Sequence, residues 1–273
     1  MLDLGLRREQ FTNDDSFGRE LISQRNMVAP RLALSWDMMG DGTTKVYANV
    51  GRYHLPVPSS LSSNVATGLL STSKYYTYTG VDPATGAPTG LHAISGIVSV
   101  NNAYGQTPDP RSLVAIDLKP FSQDEFAVGV EHAMSKAYIV GASLLYRRLN
   151  DTLDDTCDQR PIDAWAKRNG VDASNYAGFN CAIMNPGRDN SMLVDFGDGA
   201  GFRRVDISAE EWGTPRPNRS YKSLNLVAEH PFSNGWYGKL TYTLSYSKGN
   251  QEGQTDSVGG GDVGLTVSDD HKE

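Results

Sequence analysis

The segment Trp236–Asn250 constrains the fold more than any other part of the chain. From Lys239 it alternates without a break, and every second position is large and apolar or aromatic, namely Leu240, Tyr242, Leu244 and Tyr246. The positions between them carry Thr or Ser. Because successive side chains of a strand point to opposite faces, one face of this strand is apolar and the other is hydroxylic. Soluble sandwiches show this pattern with the polar face in water, and membrane barrels show it with the apolar face in lipid.

Six other segments alternate in a similar way. Together with the first they predict strands at 2–9, 27–38, 44–53, 121–132, 137–149, 219–230 and 236–249. Short turns are predicted at Asp41-Gly42, around Ser135 and at Asn234-Gly235, since Asp-Gly and Asn-Gly accept the positive φ angles of tight hairpins. Sequential strands joined by short turns pair with each other, so we expect one curved antiparallel sheet.

The connections at the other ends of these hairpins are long and polar. A polar stretch covers 12–26, regular alternation is lost from His54 to Lys119, and a second excursion runs from Asn150 to about Asn218. Within the second excursion, Pro161–Asn169 followed by Gly170 predicts one or two helical turns. A third, Gly- and Asp-rich stretch begins after Lys248. Short turns at one end and long loops at the other are typical of outer-membrane barrels.

Aromatic residues stand at both ends of two predicted strands. Tyr138 and Tyr146 bracket one strand, and Trp236 and Tyr246 bracket another. At about 3.3 Å per residue and a tilt of about 40°, each pair is separated vertically by roughly 20–25 Å. This is close to the height of the apolar band between the two aromatic girdles of a membrane barrel. The pattern therefore favours a barrel over a sandwich.

The charge and hydropathy of the chain exclude two classes. The net charge of −7 argues against a nucleic-acid partner, which requires a basic surface. No run of eighteen apolar residues occurs, so we expect no membrane-spanning helix, although barrel strands need no such run. The chain begins without a secretion signal and ends without a capping strand, and we therefore interpret it as a fragment.

Two stretches carry a family resemblance. The run APRLALSWDMMGDGTTKVYANVGRY at 29–53 resembles a hairpin of TonB-dependent receptors of the Oar-like group. The run LKPFSQDEFAVGVEHAMSKAYIVGASLLYRRLNDTL at 118–153 resembles another hairpin of these receptors. The resemblance covers nearly all predicted strands and is weak in the loops. It implies an all-β, antiparallel, up-and-down transmembrane β-barrel segment of about seven strands with long external loops.

The resemblance also implies a function. Residues 1–273 would form one partial barrel domain, without the plug, the coupling box and the barrel ends. The whole receptor would sit in the cell outer membrane, bind a small ligand or oligomer through its external loops, and import it with energy from the inner-membrane TonB complex, which acts through the plug. Outer-membrane lipid would surround it. No enzymatic activity, cofactor or nucleic-acid partner is expected.

A soluble secreted β-sheet module that binds carbohydrate or mediates adhesion is the alternative. Tyr75, Tyr76 and Tyr78 form an aromatic cluster in the first long loop that could stack on sugars, and this cluster fits either class. The two classes differ in the environment of Leu240, Tyr242, Leu244 and Tyr246. A soluble protein buries these side chains, whereas a barrel exposes them to lipid.

The two cysteines, Cys157 and Cys181, both lie in the second long loop, 24 positions apart. In an oxidising periplasm we expect them to form a disulfide, which would contribute about 3 kcal/mol by closing that loop. The alternative is a pair of reduced cysteines in a cytosolic protein. No CxxC pair or Cys/His ligand spacing is present, so no zinc site is predicted.

Other polar residues give no strong site. Four carboxylates near Cys157 (Asp151, Asp154, Asp155 and Asp158) could attract a hard cation, but their spacing is not that of an EF-hand, and a solvated acidic loop is favoured. His132 and His230 each end a strand next to a short turn, where an interfacial polar residue is expected. No Ser, His and Asp grouping indicates nucleophilic catalysis.

Overall fold

The computed structural model describes residues 1–57, 66, 72–99, 104–106, 108–176, 178 and 181–251. Its main feature is a seven-stranded antiparallel sheet whose strands lie in sequential order, which confirms the predicted pairing of sequential strands. We number these strands β1 (Leu2–Asp14), β2 (Glu20–Asp37), β3 (Thr44–His54), β4 (Ser122–Ser135), β5 (Tyr138–Asp151), β6 (Arg219–Ser233) and β7 (Trp236–Gly249). Within the described residues the sheet is open, because β1 pairs only with β2 and β7 only with β6.

The prediction that the polar stretch at 12–26 forms a long connection is wrong. β1 continues to Asp14 and β2 begins at Glu20, so only a short turn separates them. The extension forms because Leu21 and Ile22 are buried against residues of the long loops. Gln24 is buried as well, at 6% exposed. Tertiary packing thus overrides a composition that is unfavourable for a strand.

The three turns at the opposite end of the sheet are short, as predicted. In the β2–β3 turn, the Asp37 carboxylate accepts hydrogen bonds from the backbone N–H groups of Gly40 and Gly42, at 3.0 and 2.9 Å. In the β6–β7 turn, Asn234 and Gly235 both have positive φ, at 51° and 85°. These backbone angles are the reason that Asn-Gly occurs there.

The strand register collects the apolar side chains on one side of the sheet. One row of consecutive Cα partners from β2 to β7 consists of Leu34, Ala48, Val128, Leu144, Leu224 and Leu244. Leu144 is 55% exposed and Leu244 is 59% exposed, so the described part of the chain leaves this surface uncovered. We call this side the apolar face and the other side the polar face.

The hydrophobic core lies in the long loops rather than against the sheet. Its largest cluster is formed mainly by the second excursion, with Ala115 from the first. The second excursion folds into helix α1 (Arg160–Arg168), helix α2 (Ala209–Trp212) and four short strands, Asp154–Thr156, Ala182–Met184, Asn190–Asp195 and Phe202–Ile207. The ring of Phe196 is fully buried there and stacks on Trp165, with centroids 6.0 Å apart. The helix predicted at Pro161–Asn169 is confirmed as α1. Among the described residues, neither helix is long and apolar enough to cross a membrane.

The first excursion is also more regular than predicted. It contains a 3₁₀ turn at Pro110–Ser112 and a hairpin over 72–99, so the prediction that regularity is lost throughout 54–119 is wrong. The hairpin consists of three short strand pairs, Thr72–Ser73 with Val98–Ser99, Tyr76–Thr77 with His92–Ala93, and Gly80–Val81 with Pro88–Thr89. Two-residue strands are too short to produce a recognisable alternation. The Gly- and Asp-rich stretch predicted after Lys248 lies, beyond Gln251, outside the described residues.

Candidate functional site

Aromatic rings bound the apolar face at both ends. Near the long loops, Tyr146 and Tyr246 lie in one cross-strand row, with Lys222 between them. Near the short turns, the ring of His230 stacks on Trp236 at 3.7 Å between centroids and meets the edge of Tyr138 at 5.2 Å. The four aromatic residues that bracket two predicted strands therefore form two bands on one face. His230 is only 6% exposed, because these two rings cover it.

The polar face carries hydroxyl, amide and charged groups that pair with each other across strands. Asn225 accepts a hydrogen bond from the Thr243 hydroxyl at 2.9 Å and donates to the Ser143 hydroxyl at 3.5 Å. Ion pairs link neighbouring strands at Lys45–Glu131, Arg147–Glu125 and Lys239–Glu229. This face is therefore hydrophilic and of mixed charge.

A tyrosine ring lies directly over a glycine on the polar face. A Cβ added at Gly129 would come within 2.4 Å of the Tyr47 ring and 2.9 Å of Ser143. A cavity of about 190 Å³ beside this contact is lined by both ionic and apolar groups, including Glu131, Asn225 and Lys239. The small residue at this position is thus required by a ring that packs against the sheet.

The two long excursions form a single structure, which we call the loop layer. The backbone of Ile183 accepts a hydrogen bond from the N–H of Ala115 at 2.8 Å and donates one to the carbonyl of Leu113 at 2.7 Å. Leu113 and Ile183 are fully buried in a second cluster that also includes Leu21 and Ile22 of β2. The loop layer is therefore anchored to one end of the sheet by a packed core.

The two cysteines are bonded in the structure. The Cα atoms of Cys157 and Cys181 are 4.1 Å apart and the sulfur atoms are joined. Cys157 directly follows the short strand Asp154–Thr156, and Cys181 directly precedes its antiparallel partner Ala182–Met184. The bond thus closes the end of a hairpin inside the loop layer.

The four carboxylates beside Cys157 do not converge on one point. Asp151 pairs with Arg188 at 2.5 Å, and Asp158 pairs with Arg160 at 2.7 Å. The hydrogen bonds and charge of Arg160 hold the pKa of Asp158 below its usual value. No group of three or more His, Cys, Asp or Glu side chains in the described residues is arranged to hold a metal ion.

The aromatic cluster lies on the hairpin of the first excursion. Tyr75, Tyr76 and Tyr78 are all exposed, by 44% or more. The register pairs Tyr76 with Ala93 and Thr77 with His92, which places Tyr78 and Leu91 on the same face as Tyr76. The Lys74 ammonium lies 5.4 Å from the centroid of the Tyr76 ring. This hairpin offers aromatic surface and a cation to a ligand.

Sequence reasoning missed the buried amide of Asn185, which joins the two excursions. Its partner Lys119 is 66 positions away, and no periodic pattern marks such a contact.

Sequence reasoning also missed a set of arginines at the end of the sheet next to the loop layer. Their signal was present, since on the apolar face Arg52 follows Val50 by two positions and Arg148 follows Tyr146 by two positions.

Comparison with known proteins gives a partial likeness. No family model matches the chain. The chain is 26% identical over 275 residues to the TonB-dependent transporter Oar of Myxococcus xanthus. The matched region covers 92% of this chain and 22% of that transporter, so the chain spans about a fifth of the length of this curated relative. The likeness is therefore distant and partial.

Proposed function

We propose that this chain forms part of the wall and the external loops of an outer-membrane TonB-dependent transporter. The observation that carries the proposal is the apolar face, which is up to seven strands wide, exposed, and bounded by aromatic rings at both ends. Soluble monomers rarely expose a contiguous apolar patch larger than a few hundred Å². An apolar band between two aromatic girdles is the pattern of a strand wall in contact with lipid.

The polar face would then line the lumen, and the loop layer would stand at the external end. In this arrangement the loops meet the ligand before it enters the lumen. The hairpin with Tyr75, Tyr76 and Tyr78 projects exposed aromatic surface and is our candidate for the first contact with a small ligand or oligomer. Energy for uptake would come from the inner-membrane TonB complex through the plug of the whole transporter.

The same hairpin also favours a second candidate, a secreted module that binds carbohydrate or mediates adhesion. Exposed tyrosines provide large amphipathic contact surfaces in either case. The second candidate leaves the apolar face without a function, because a soluble sheet of this width would bury that face. We therefore prefer the transporter.

The test uses two adjacent positions on opposite faces. Leu240 is 70% exposed on the apolar face, and Thr241 follows it on the polar face. Leu240→Cys and Thr241→Cys would each be made in the full chain with the Cys157–Cys181 bond intact, labelled with a bimane fluorophore, and reconstituted in vesicles. We expect brominated lipids to quench the label at position 240, and iodide in the buffer to quench the label at position 241.

Two results would contradict the proposal. One is equal quenching of both labels by iodide, which would mean that the apolar face is in water. The other is a soluble, monodisperse protein that does not associate with vesicles. Either result would favour the secreted module.

A further inference from the structure

The apolar face ends abruptly in a row of cations. Its last apolar row next to the loop layer contains Val50, Phe126, Tyr146, Lys222 and Tyr246 as consecutive Cα partners. The next row, two residues further along each strand, contains Arg52, Asp124, Arg148, Ser220 and Lys248. Residues two apart in a strand point to the same face. Three cations and one carboxylate therefore border the apolar face directly.

A cavity of about 600 Å³ opens at this border, and we call it the basic cleft. Four arginines from the sheet and the loop layer line it: Arg52, Arg148, Arg188 and Arg216. Two of them are held by carboxylates, since Arg52 binds both oxygens of Asp124 at 2.7 and 2.9 Å and Arg188 binds Asp151 at 2.5 Å. In the described part of the chain no carboxylate lies within ion-pair distance of the exposed Arg148 and Arg216. The basic cleft thus has excess positive charge in a chain whose net charge is −7.

The loop layer fixes one side of the basic cleft. Gly187 has a positive φ of 65°, and a Cβ there would lie 2.3 Å from the Cα of Arg216. The N–H of Gly187 also donates to the Thr214 hydroxyl at 3.0 Å. The backbone that carries Arg216 is therefore packed tightly against the turn that carries Arg188. This packing fixes the backbone positions from which the two arginine side chains extend.

A shallow apolar groove lies directly below the basic cleft on the same face. It has a volume of about 820 Å³ and is lined mainly by Phe126, Leu144, Tyr146, Leu224, Leu244 and Tyr246. Lys222 also borders this groove, and its ammonium lies 5.8 Å from the centroid of the Tyr146 ring. A cation thus stands between the groove and the basic cleft. The combined surface matches a molecule with an anionic head and hydrocarbon chains.

We propose that the basic cleft and the groove bind one anionic membrane lipid whose headgroup ends in a phosphate group. The guanidinium groups would hold the phosphate by charge-assisted, bidentate hydrogen bonds, for which arginine is well suited. The acyl chains would lie along the groove between the aromatic rows. This inference rests on the proposed function, because a lipid headgroup reaches the basic cleft only if the apolar face is in contact with lipid.

The experiment compares two lipids with the same acyl chains. The full chain in detergent is titrated with phosphatidic acid or with phosphatidylcholine, and bound lipid is counted by native mass spectrometry. We expect phosphatidic acid to bind more tightly. Each basic residue near an anionic lipid makes a similar contribution to the binding free energy. The double variant Arg148→Gln/Arg216→Gln removes two of these contributions and should therefore weaken phosphatidic acid binding about 30-fold. Added salt should weaken it too, since these groups are exposed.

The control removes the same charge elsewhere. Lys136→Gln/Lys167→Gln changes two exposed lysines outside the basic cleft, one in the β4–β5 turn and one on α1, and it should leave phosphatidic acid binding unchanged. Equal affinity for the two lipids would overturn the inference, and so would full displacement of the lipid by an equal concentration of inorganic phosphate, which would indicate a site for a free anion. The label at position 240 separates these outcomes from failure of the proposed function. If brominated lipids still quench it, the wall is in lipid and only the lipid site is wrong.

Discussion

The side-chain amide of Asn185 makes two hydrogen bonds with the backbone of Lys119. Its Oδ1 accepts from the Lys119 N–H at 2.6 Å, and its Nδ2 donates to the Lys119 carbonyl at 2.9 Å. The same Nδ2 also donates to the carbonyl of Thr152 at 2.8 Å. Asn185 is 2% exposed, so these bonds are shielded from water. One amide therefore joins both long excursions at the point where they leave the sheet.

Asn185→Asp tests this junction. The carboxylate keeps the shape of the amide but donates no hydrogen bond, so the carbonyls of Lys119 and Thr152 lose their donor and face a negative charge. We expect a loss of about 1–3 kcal/mol for each of these carbonyls, measured by denaturant unfolding of the loop layer. Asn169→Asp is the matched control, because the amide of Asn169 donates to Trp165 at the exposed end of α1. Equal losses for the two variants would contradict the role of Asn185.

The bond between Cys157 and Cys181 is our second prediction. Peptide mapping of the unreduced protein should recover the two cysteines as one linked peptide. The double variant Cys157→Ser/Cys181→Ser should lower the stability of the loop layer by about 3 kcal/mol, because a loop of 24 positions is no longer closed in the unfolded chain. Protease cleavage within 152–218 should increase in this variant and, to the same degree, in the reduced protein. Two free thiols in the native, unreduced protein would contradict the prediction.

The β1–β2 turn should respond to pH through Asp15. Burial raises the pKa of this carboxyl, but hydrogen bonds from Arg19 and Phe17 outweigh it and hold the pKa below the ordinary value of 3.8. The carboxylate accepts from the backbone N–H of Phe17 at 2.9 Å and from the Arg19 Nε at 2.6 Å. Because the folded pKa is lowered, this contribution is fully present above pH 3.8 and is lost as the pH falls through the folded value.

Amide exchange measures this effect locally. The N–H groups of Phe17 and Arg19 should be more protected in the wild type than in Asp15→Ala at neutral pH. After correction for the intrinsic pH dependence of exchange, the difference should shrink as the pH falls below 3.8. A difference that stays constant down to that range would show that the carboxylate does not hold the turn.

Gly129→Ala should disturb the polar face. The new methyl group would meet the Tyr47 ring at 2.4 Å, and the ring would have to leave its position over the sheet. We expect a loss of about 1–3 kcal/mol, as for other overpacked sites. Gly141→Ala is the control on the neighbouring strand, because its closest contact would be 3.3 Å, from the Val130 carbonyl. Unfolding of both variants in lipid checks the prediction, and a larger loss at Gly141 would contradict it.

The sequence was sufficient for the sheet and insufficient for the loop layer. Alternation over five or more residues, as at Leu240–Tyr246, reports the face of each side chain, because a strand repeats every two residues. Alternation did not predict the parts of β1 and β2 nearest the long loops, because Leu21 and Ile22 are buried by the loop layer and do not follow an alternating strand pattern. The hydrogen bonds between Asn185 and Lys119 were not predictable either, because a contact over 66 positions depends on the whole fold.

The candidate site, too, was predictable from the sequence only in part. The aromatic bands were predictable from Tyr138, Tyr146, Trp236 and Tyr246, because strand length alone sets their spacing. The basic cleft was not, since Arg188 and Arg216 belong to the loop layer and meet Arg52 and Arg148 only after that layer has folded. The close approach of Gly187 to Arg216 that fixes this meeting has no sequence signature beyond a single glycine.

The faces of β7 give the sharpest prediction for the proposed membrane wall. Leu240 and Thr241 are neighbours between the aromatic positions Trp236 and Tyr246, and their side chains lie on opposite faces. Leu240→Arg places a charge in the apolar band near its centre, where the cost is about 2–4 kcal/mol. Thr241→Arg places the same charge on the polar face, among hydroxyl groups and ion pairs, and should cost far less. The measurement is the unfolding free energy, or the yield of folded protein, of both variants of the full chain in bilayers. Equal costs, or a larger cost at Thr241, would mean that the apolar face does not contact lipid.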